Sequence, residues 1–331
     1  MNIKKIGLSA LAGSLVAFSA NAIDMSVTGS SEITYSTHSG TAGNSTINPW
    51  GANTSLKFSA TGDVGFGEAT IVRTLNDNGA TYLSAWQTLD MGSLGTLSLD
   101  GTGGEMAGYI PFDDILPTAN EEVWHGVSNS GATAAGITQE TTNDAIGYTN
   151  SFGPIMVSLA RSNGGTANTG DGNANDTAVS TGTTSDYVVQ AAVPYIDGLT
   201  LTYANSKHSF SAAGEDDDTA QNMTAVYSTG PVSVGYRQAE LQDGSDGVAG
   251  VNITAYSLAF AVNDAMSVSV AQQDSEFDNP SSTNVTEEVT AINASYTVGA
   301  ASMAIAVGES DNDNGTNQTA EYMELKVALS F

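Results

Sequence analysis

The stretch Glu321-Tyr322-Met323-Glu324-Leu325-Lys326-Val327-Ala328-Leu329-Ser330-Phe331 carries the reading of the whole chain. Met323, Leu325, Val327, Leu329 and Phe331 are apolar and sizeable, whereas Tyr322, Glu324, Lys326, Ala328 and Ser330 between them are mostly polar or small. A period of two puts these sets on opposite faces of a β-strand. Soluble sheets use such strands too. Here the charges at the centre of the wet face and the aromatic last residue call for water on one side and an apolar medium on the other.

Working outward from this strand, the alternation recurs along the chain. Residues 25–36 set Met25, Val27, Ile33 and Tyr35 against Ser26, Thr28, Ser30, Glu32 and Thr34. Residues 53–61 set Leu56, Phe58 and Ala60 against Ser55, Lys57 and Ser59. Further strands are predicted near 68–76, 80–89, 94–101, 143–150, 154–162, 185–194, 199–206, 220–228, 231–238, 250–262, 266–273, 286–298 and 303–307. The connections sort themselves: long polar ones at 37–51, 163–184, 207–219, 274–285 and 310–319 alternate with tight turns such as 62–67, 90–93 and 263–264. A β-sandwich has no reason to sort its loops in this way. The pattern predicts an all-β fold, a transmembrane antiparallel β-barrel of about 16 strands with short periplasmic turns and long extracellular loops. An even strand number would bring residues 25–36 beside the terminal strand and close the ring.

The other bounds agree. Residues 1–22 open on Lys4 and Lys5, run apolar from Ile6 to Phe18 and end Ala20-Asn21-Ala22, the three parts of a secretory signal peptide. The mature domain is then 23–331, and its localisation is outside the cytoplasm. No later stretch is long and apolar enough for a membrane helix, which barrel strands do not need. With no cysteine, a closed hydrogen-bonded barrel would have to do the work of disulfides. The net charge of −28, from 8 Lys plus Arg against 36 Asp plus Glu, disfavours nucleic acid and anionic headgroups as partners and favours cations.

Four stretches resemble the general porins of the Gram-negative outer membrane. They are Ser93-Leu94-Gly95-Thr96-Leu97-Ser98-Leu99, residues 55–65, residues 146–153, and Gly230-Pro231-Val232-Ser233-Val234-Gly235-Tyr236. With the aromatic terminus, the similarity spans essentially all of 23–331. It implies a homotrimer of sixteen-stranded barrels in outer-membrane lipid, passing small hydrophilic solutes by diffusion without a cofactor. It also implies that the third extracellular loop folds into the pore. That loop would be residues 102–142, the one long segment that breaks the strand rhythm. The family signature ends on an arginine where this chain has Gly101, so the usual basic wall is weakened.

The candidate constriction residues are the acidic ones of that loop, Glu105, Asp113, Asp114, Glu121 and Glu122, which would favour cations in a water-filled eyelet. Alternation turns Lys57 and Lys326 inward. Arg73 sits on a strand of ambiguous facing, and lipid exposure would cost about 2–4 kcal/mol, so it too is expected inward. These three form the expected basic pore wall opposite the acidic loop. Arg237 is expected inward but structural, and Tyr35, Trp86, Tyr148, Tyr187, Tyr203, Tyr227, Tyr236, Tyr256, Tyr296 and Phe331 are expected in interfacial girdles. No metal site is assigned: Asp311-Asn312-Asp313-Asn314-Gly315 places its glycine too early for a calcium loop. An enzyme is not expected, since the three histidines come with no cysteine, phosphate-binding loop or nucleophile elbow. A substrate-specific porin with a lumenal site, and from another class a barrel enzyme or adhesin, are the alternatives.

Overall fold

The structure is a computed structural model that describes residues 23–40, 48–76, 82–102, 115–126, 145–163, 182–210, 216–242, 250–278, 285–313 and 318–331. The expected signal peptide lies outside the described residues, as do Glu105, Asp113 and Asp114 of the acidic loop. Sixteen antiparallel strands close into one barrel, each bonded to its sequence neighbours and β1 to β16. They are β1 (Ile23–Ser39), β2 (Trp50–Asp63), β3 (Glu68–Asn76), β4 (Tyr82–Asp90), β5 (Thr96–Thr102), β6 (Ala145–Phe152), β7 (Ile155–Asn163) and β8 (Gly182–Ala192). The second half is β9 (Leu199–Phe210), β10 (Asp218–Thr229), β11 (Val232–Gln242), β12 (Gly250–Asn263), β13 (Met266–Asp278), β14 (Val285–Val298), β15 (Ala301–Asp311) and β16 (Thr319–Ser330).

The closing seam joins the two strands that alternation had paired. Its register runs from Ser30 opposite Ser330 to Ser39 opposite Glu321, with Ile33 facing Val327 and Thr34 facing Lys326. Phe331 completes the ladder: its carbonyl accepts from Gly29 N at 2.6 Å and its N–H donates to Gly29 O at 2.9 Å. Among the described residues no edge strand remains, so each of the sixteen strands has a partner on both sides.

Side chains directly opposite across a ladder share a face, so register fixes which residues point out. The outward rows carry Val27, Ile33, Phe58, Leu159, Leu201, Leu258, Val270, Ile292, Ile305, Leu325 and Val327, all exposed on the isolated chain. Large apolar side chains on the outside and serine, threonine, asparagine and glutamate within invert a soluble protein's layout. Aromatic residues bound the apolar band. Near the short turns stand Tyr148, Phe152, Tyr227, Tyr296 and Phe331. Toward the long connections Tyr35 meets Trp50 at 5.0 Å, Tyr187 meets Tyr203 at 5.9 Å and Tyr236 meets Tyr256 at 5.3 Å. Trp86 departs from the expected girdle. Its register partner is the inward, buried Val72, so the indole faces the lumen.

Turn chemistry explains the short end. Gly153-Pro154, Gly230-Pro231 and Gly299-Ala300 each bridge directly paired residues, with the glycine first and at φ of +63°, +54° and +60°. Positive φ at the first position is what a two-residue hairpin of type II′ requires. Asn263 closes a fourth turn by accepting from Ala265 N and Met266 N through its Oδ1 at 2.9 and 3.0 Å. One local expectation shifts: Gly92–Leu94 form a 3₁₀ turn, and β5 starts at Thr96 rather than Leu94.

Candidate functional site

Residues 115–126 lie inside the barrel and follow its inner wall strand by strand. Ile115 packs on Val188, Ala204 and Ala220 of β8 to β10. Leu116 and Pro117 sit against Gly235 of β11, where any Cβ would come within 2.7 Å of both. Ala119 N donates to Ser269 Oγ of β13 at 2.9 Å, and Asn293 Nδ2 of β14 donates to Glu121 O at 3.0 Å. Val123 and Trp124 pack on Ala271, Val289, Ala291, Ala306 and Tyr322 of β13 to β16. Gly126 O then accepts from His38 Nδ1 of β1 at 3.0 Å. The small residues on this wall make the room: Gly235, Ala271, Ala291 and Ala306 leave a shallow track that the segment fills.

At the β16 end the segment meets a cluster of ionisable groups. Lys326 Nζ donates to Glu121 Oε1, which also accepts from Asn120 Nδ2 at 3.1 Å. The second oxygen, Glu121 Oε2, stands 3.5 Å from His125 Nδ1. His125 Nε2 is 2.9 Å from the Tyr322 hydroxyl, which donates to Glu324 Oε2 at 2.6 Å. Glu32, two residues from the Thr34 that faces Lys326 across the seam, adds a further inward carboxylate. Charge is thus concentrated where the segment touches β16, and every hydrogen-bonding partner in the cluster is a neighbour on the wall or on the segment itself.

The placement of the basic candidates corrects the expected wall. Lys326 lies beneath the segment and is neutralised by Glu121, so it does not face the acidic loop from across the lumen. Lys57 does point inward from β2, opposite Thr74 of β3, and its Nζ stands 5.5 Å from the centroid of the Trp86 ring. Arg73 faces outward. It stands directly opposite Phe58, an exposed outward residue, and its Nη1 donates back to Val72 O at 2.6 Å instead of entering the lumen. The mixed pair Ile71-Val72 had hidden this strand's facing, and folding back onto backbone carbonyls keeps the guanidinium hydrogen-bonded. Arg237 is inward and 2% exposed, lining a crevice with Leu116, Thr118, Glu122 and Gln273 under the segment. The feature that sequence reasoning missed is the His125–Tyr322–Glu324 chain. Its signal was available: histidine is rare here, and alternation had already turned Tyr322 and Glu324 to the same face.

Compared by sequence, the chain matches no protein-family model and no curated protein. Compared by structure, it is similar along nearly its whole length to several solved barrels. One is OmpF of Salmonella typhi, solved in complex with daunomycin, with a TM-score of 0.66 and 11% identity over 94% of this chain and 98% of that one. The fold is that of the Gram-negative outer-membrane porins. A second porin with this fold is the anion-selective porin of Comamonas acidovorans, at TM-score 0.64 and 13% identity over 94% and 100% of the two chains. A third is OmpT of Vibrio cholerae, in its in-vitro folded trimer form, at 0.63 and 12% over 94% and 100%.

Proposed function

We infer that this chain is a passive diffusion channel of the outer membrane, with residues 115–126 narrowing a lumen that prefers cations and small hydrophilic neutral solutes. The observation that carries the reading is the inward charge balance. Among the described residues the inward cations are Lys57, Arg237 and Lys326. Lys326 is bonded to Glu121 and Arg237 is buried under the segment, which leaves Lys57 as the cation exposed to lumenal water. By the same standard, the Glu121–Lys326 pair cancels and the buried Arg237, Asp186, Glu287 and Glu324 are set aside. The partly exposed Glu32 on β1 and Glu122 on the segment then stand against Lys57. In a water-filled passage such an excess lowers the energy of a cation and raises that of an anion.

A homotrimer, residues 1–22 as a cleaved secretory signal, and participation of Glu105, Asp113 and Asp114 in the constriction belong to the same proposal. The homotrimer rests on the resemblance and on the trimer form of Vibrio OmpT. The signal rests on the basic, apolar and Ala-x-Ala parts of residues 1–22, and the three acidic residues on the resemblance that folds their loop into the pore. Among the described residues the clustered groups hold one another, and the hydroxyl beside His125, that of Tyr322, donates to Glu324. Swelling of proteoliposomes in uncharged sugars of graded size tests the channel reading. Swelling that slows steadily as the sugar grows is expected; no swelling even with the smallest pentose would refute it.

A further inference from the structure

We propose that Glu121, Glu122 and His125 form a binding site for a divalent transition-metal ion of the zinc class at the pore constriction. One ligand atom from each of the three lies within 4.8 Å of the other two, and all three side chains are half-buried. Ligands about 2.1 Å from a tetrahedral ion stand roughly 3.4 Å apart, so the three side chains would draw together from separations that are now at most 4.8 Å. The local backbone supports the grouping. His125 N donates to Glu122 O at 3.2 Å, a turn that folds the imidazole back over the two carboxylates.

The hydrogen bonds around His125 orient its ring toward the carboxylates. Tyr322 has one hydroxyl proton and gives it to Glu324 Oε2. Its oxygen can then only accept from His125, which makes Nε2 the protonated ring nitrogen. In the neutral ring Nδ1 therefore carries the lone pair, and it faces Glu121 Oε2 at 3.5 Å. A positive species belongs between these two atoms: a ring proton, which makes them an imidazolium–carboxylate pair, or a metal ion that displaces it. A ring N–H anchored through a hydroxyl to a carboxylate is also how metal-bound histidines are oriented.

The remaining ligands are held as well. Glu121 Oε1 is tied by Lys326 and Asn120, and its backbone carbonyl by Asn293, which leaves Oε2 for the ion. Three protein ligands leave a fourth position open to lumenal water. One imidazole among oxygens favours zinc or copper over magnesium and calcium, which take oxygen ligands. Lys326 and Arg237 lie close enough to the carboxylates to oppose binding, so the affinity is set against their charge. An ion seated here would reverse the local sign of the constriction.

The effect on current rests on the channel reading, whereas binding does not, so the two are measured separately. Copper(II) added to the purified full-length protein should give an electron paramagnetic resonance spectrum with coupling to one imidazole nitrogen. His125→Gln should abolish that coupling, and His208→Gln should leave it intact. In planar bilayers, Zn²⁺ should lower cation current at concentrations at least tenfold below those at which Mg²⁺ acts, and His125→Gln should bring the two together. Copper without nitrogen coupling, or coupling that survives His125→Gln, would overturn the site whether or not the protein conducts. Coupling lost in His125→Gln, with no effect of Zn²⁺ on current, would uphold the site and overturn its placement at the constriction.

Discussion

Consider removing each half of the Glu121–Lys326 pair in turn. Both side chains are mostly shielded, at 15% and 24% exposed, and both stand where residues 115–126 meet β16. Glu121→Gln removes a negative charge from the passage, Lys326→Met removes a positive one, and the double variant removes both. For an ion about 7 Å away in a water-like dielectric, a unit charge is worth about 0.6 kcal/mol. Screening over a Debye length of about 10 Å roughly halves this. Because cations and anions respond oppositely, the ratio of their permeabilities should move about threefold. Lys326→Met should raise cation preference by that factor, Glu121→Gln should lower it by a similar one, and the double variant should return close to the parent. Reversal potentials in a potassium chloride gradient read all three. Single variants that shift selectivity in the same direction, or do not shift it at all, would show that the pair does not border the conducting path.

Other consequences can be checked on the same protein. Val270 lies on the outward row between Leu258 and Ile292, so Val270→Arg should destabilise the folded barrel in lipid by about 2–4 kcal/mol, measured by urea unfolding in vesicles. An unchanged midpoint would mean the faces are misassigned. At Gly235 a larger side chain would meet Pro117 Cδ and Leu116 Cδ2 at under 3 Å, so Gly235→Val should push the segment inward and reduce single-channel conductance while the barrel still folds. Conductance equal to the parent's would refute the contact. Near the long-connection end, Lys207 Nζ lies 2.6 Å from Asp217 and holds that carboxyl below the usual carboxylate range, mainly through their hydrogen bond. The pair is therefore intact at neutral pH and is lost only as pH falls through the lowered value. In Lys207→Met, nuclear magnetic resonance should find the Asp217 titration moved back upward.

The barrel was legible because its determinants are local and repetitive. Period-two alternation, glycine-first turns and the sorting of long from short connections act within a few residues, and the facing of Leu325 and Ile33 follows from them directly. The closure of β1 on β16 needed only an even strand number. Arg73 was not legible. Ile71 and Val72 are both apolar, so the strand's facing depends on register with Phe58, a contact between strands. The course of residues 115–126 was hidden for a similar reason. It is set by where Gly235, Ala271, Ala291 and Ala306 leave space on a curved wall, which no linear pattern displays. Lys326 is inward and meets the acidic segment at Glu121 directly instead of across open lumen, a contact that alternation does not specify because it gives a face but not a height or a neighbour.

The most direct test of the account is the current carried by the purified protein in a planar bilayer separating two potassium chloride concentrations. Stepwise openings with a reversal potential on the potassium side of zero are predicted, from the excess of inward carboxylates over inward cations among the described residues. Stepwise openings with a reversal potential on the chloride side would contradict the assigned charge balance, and a silent bilayer would contradict the channel itself.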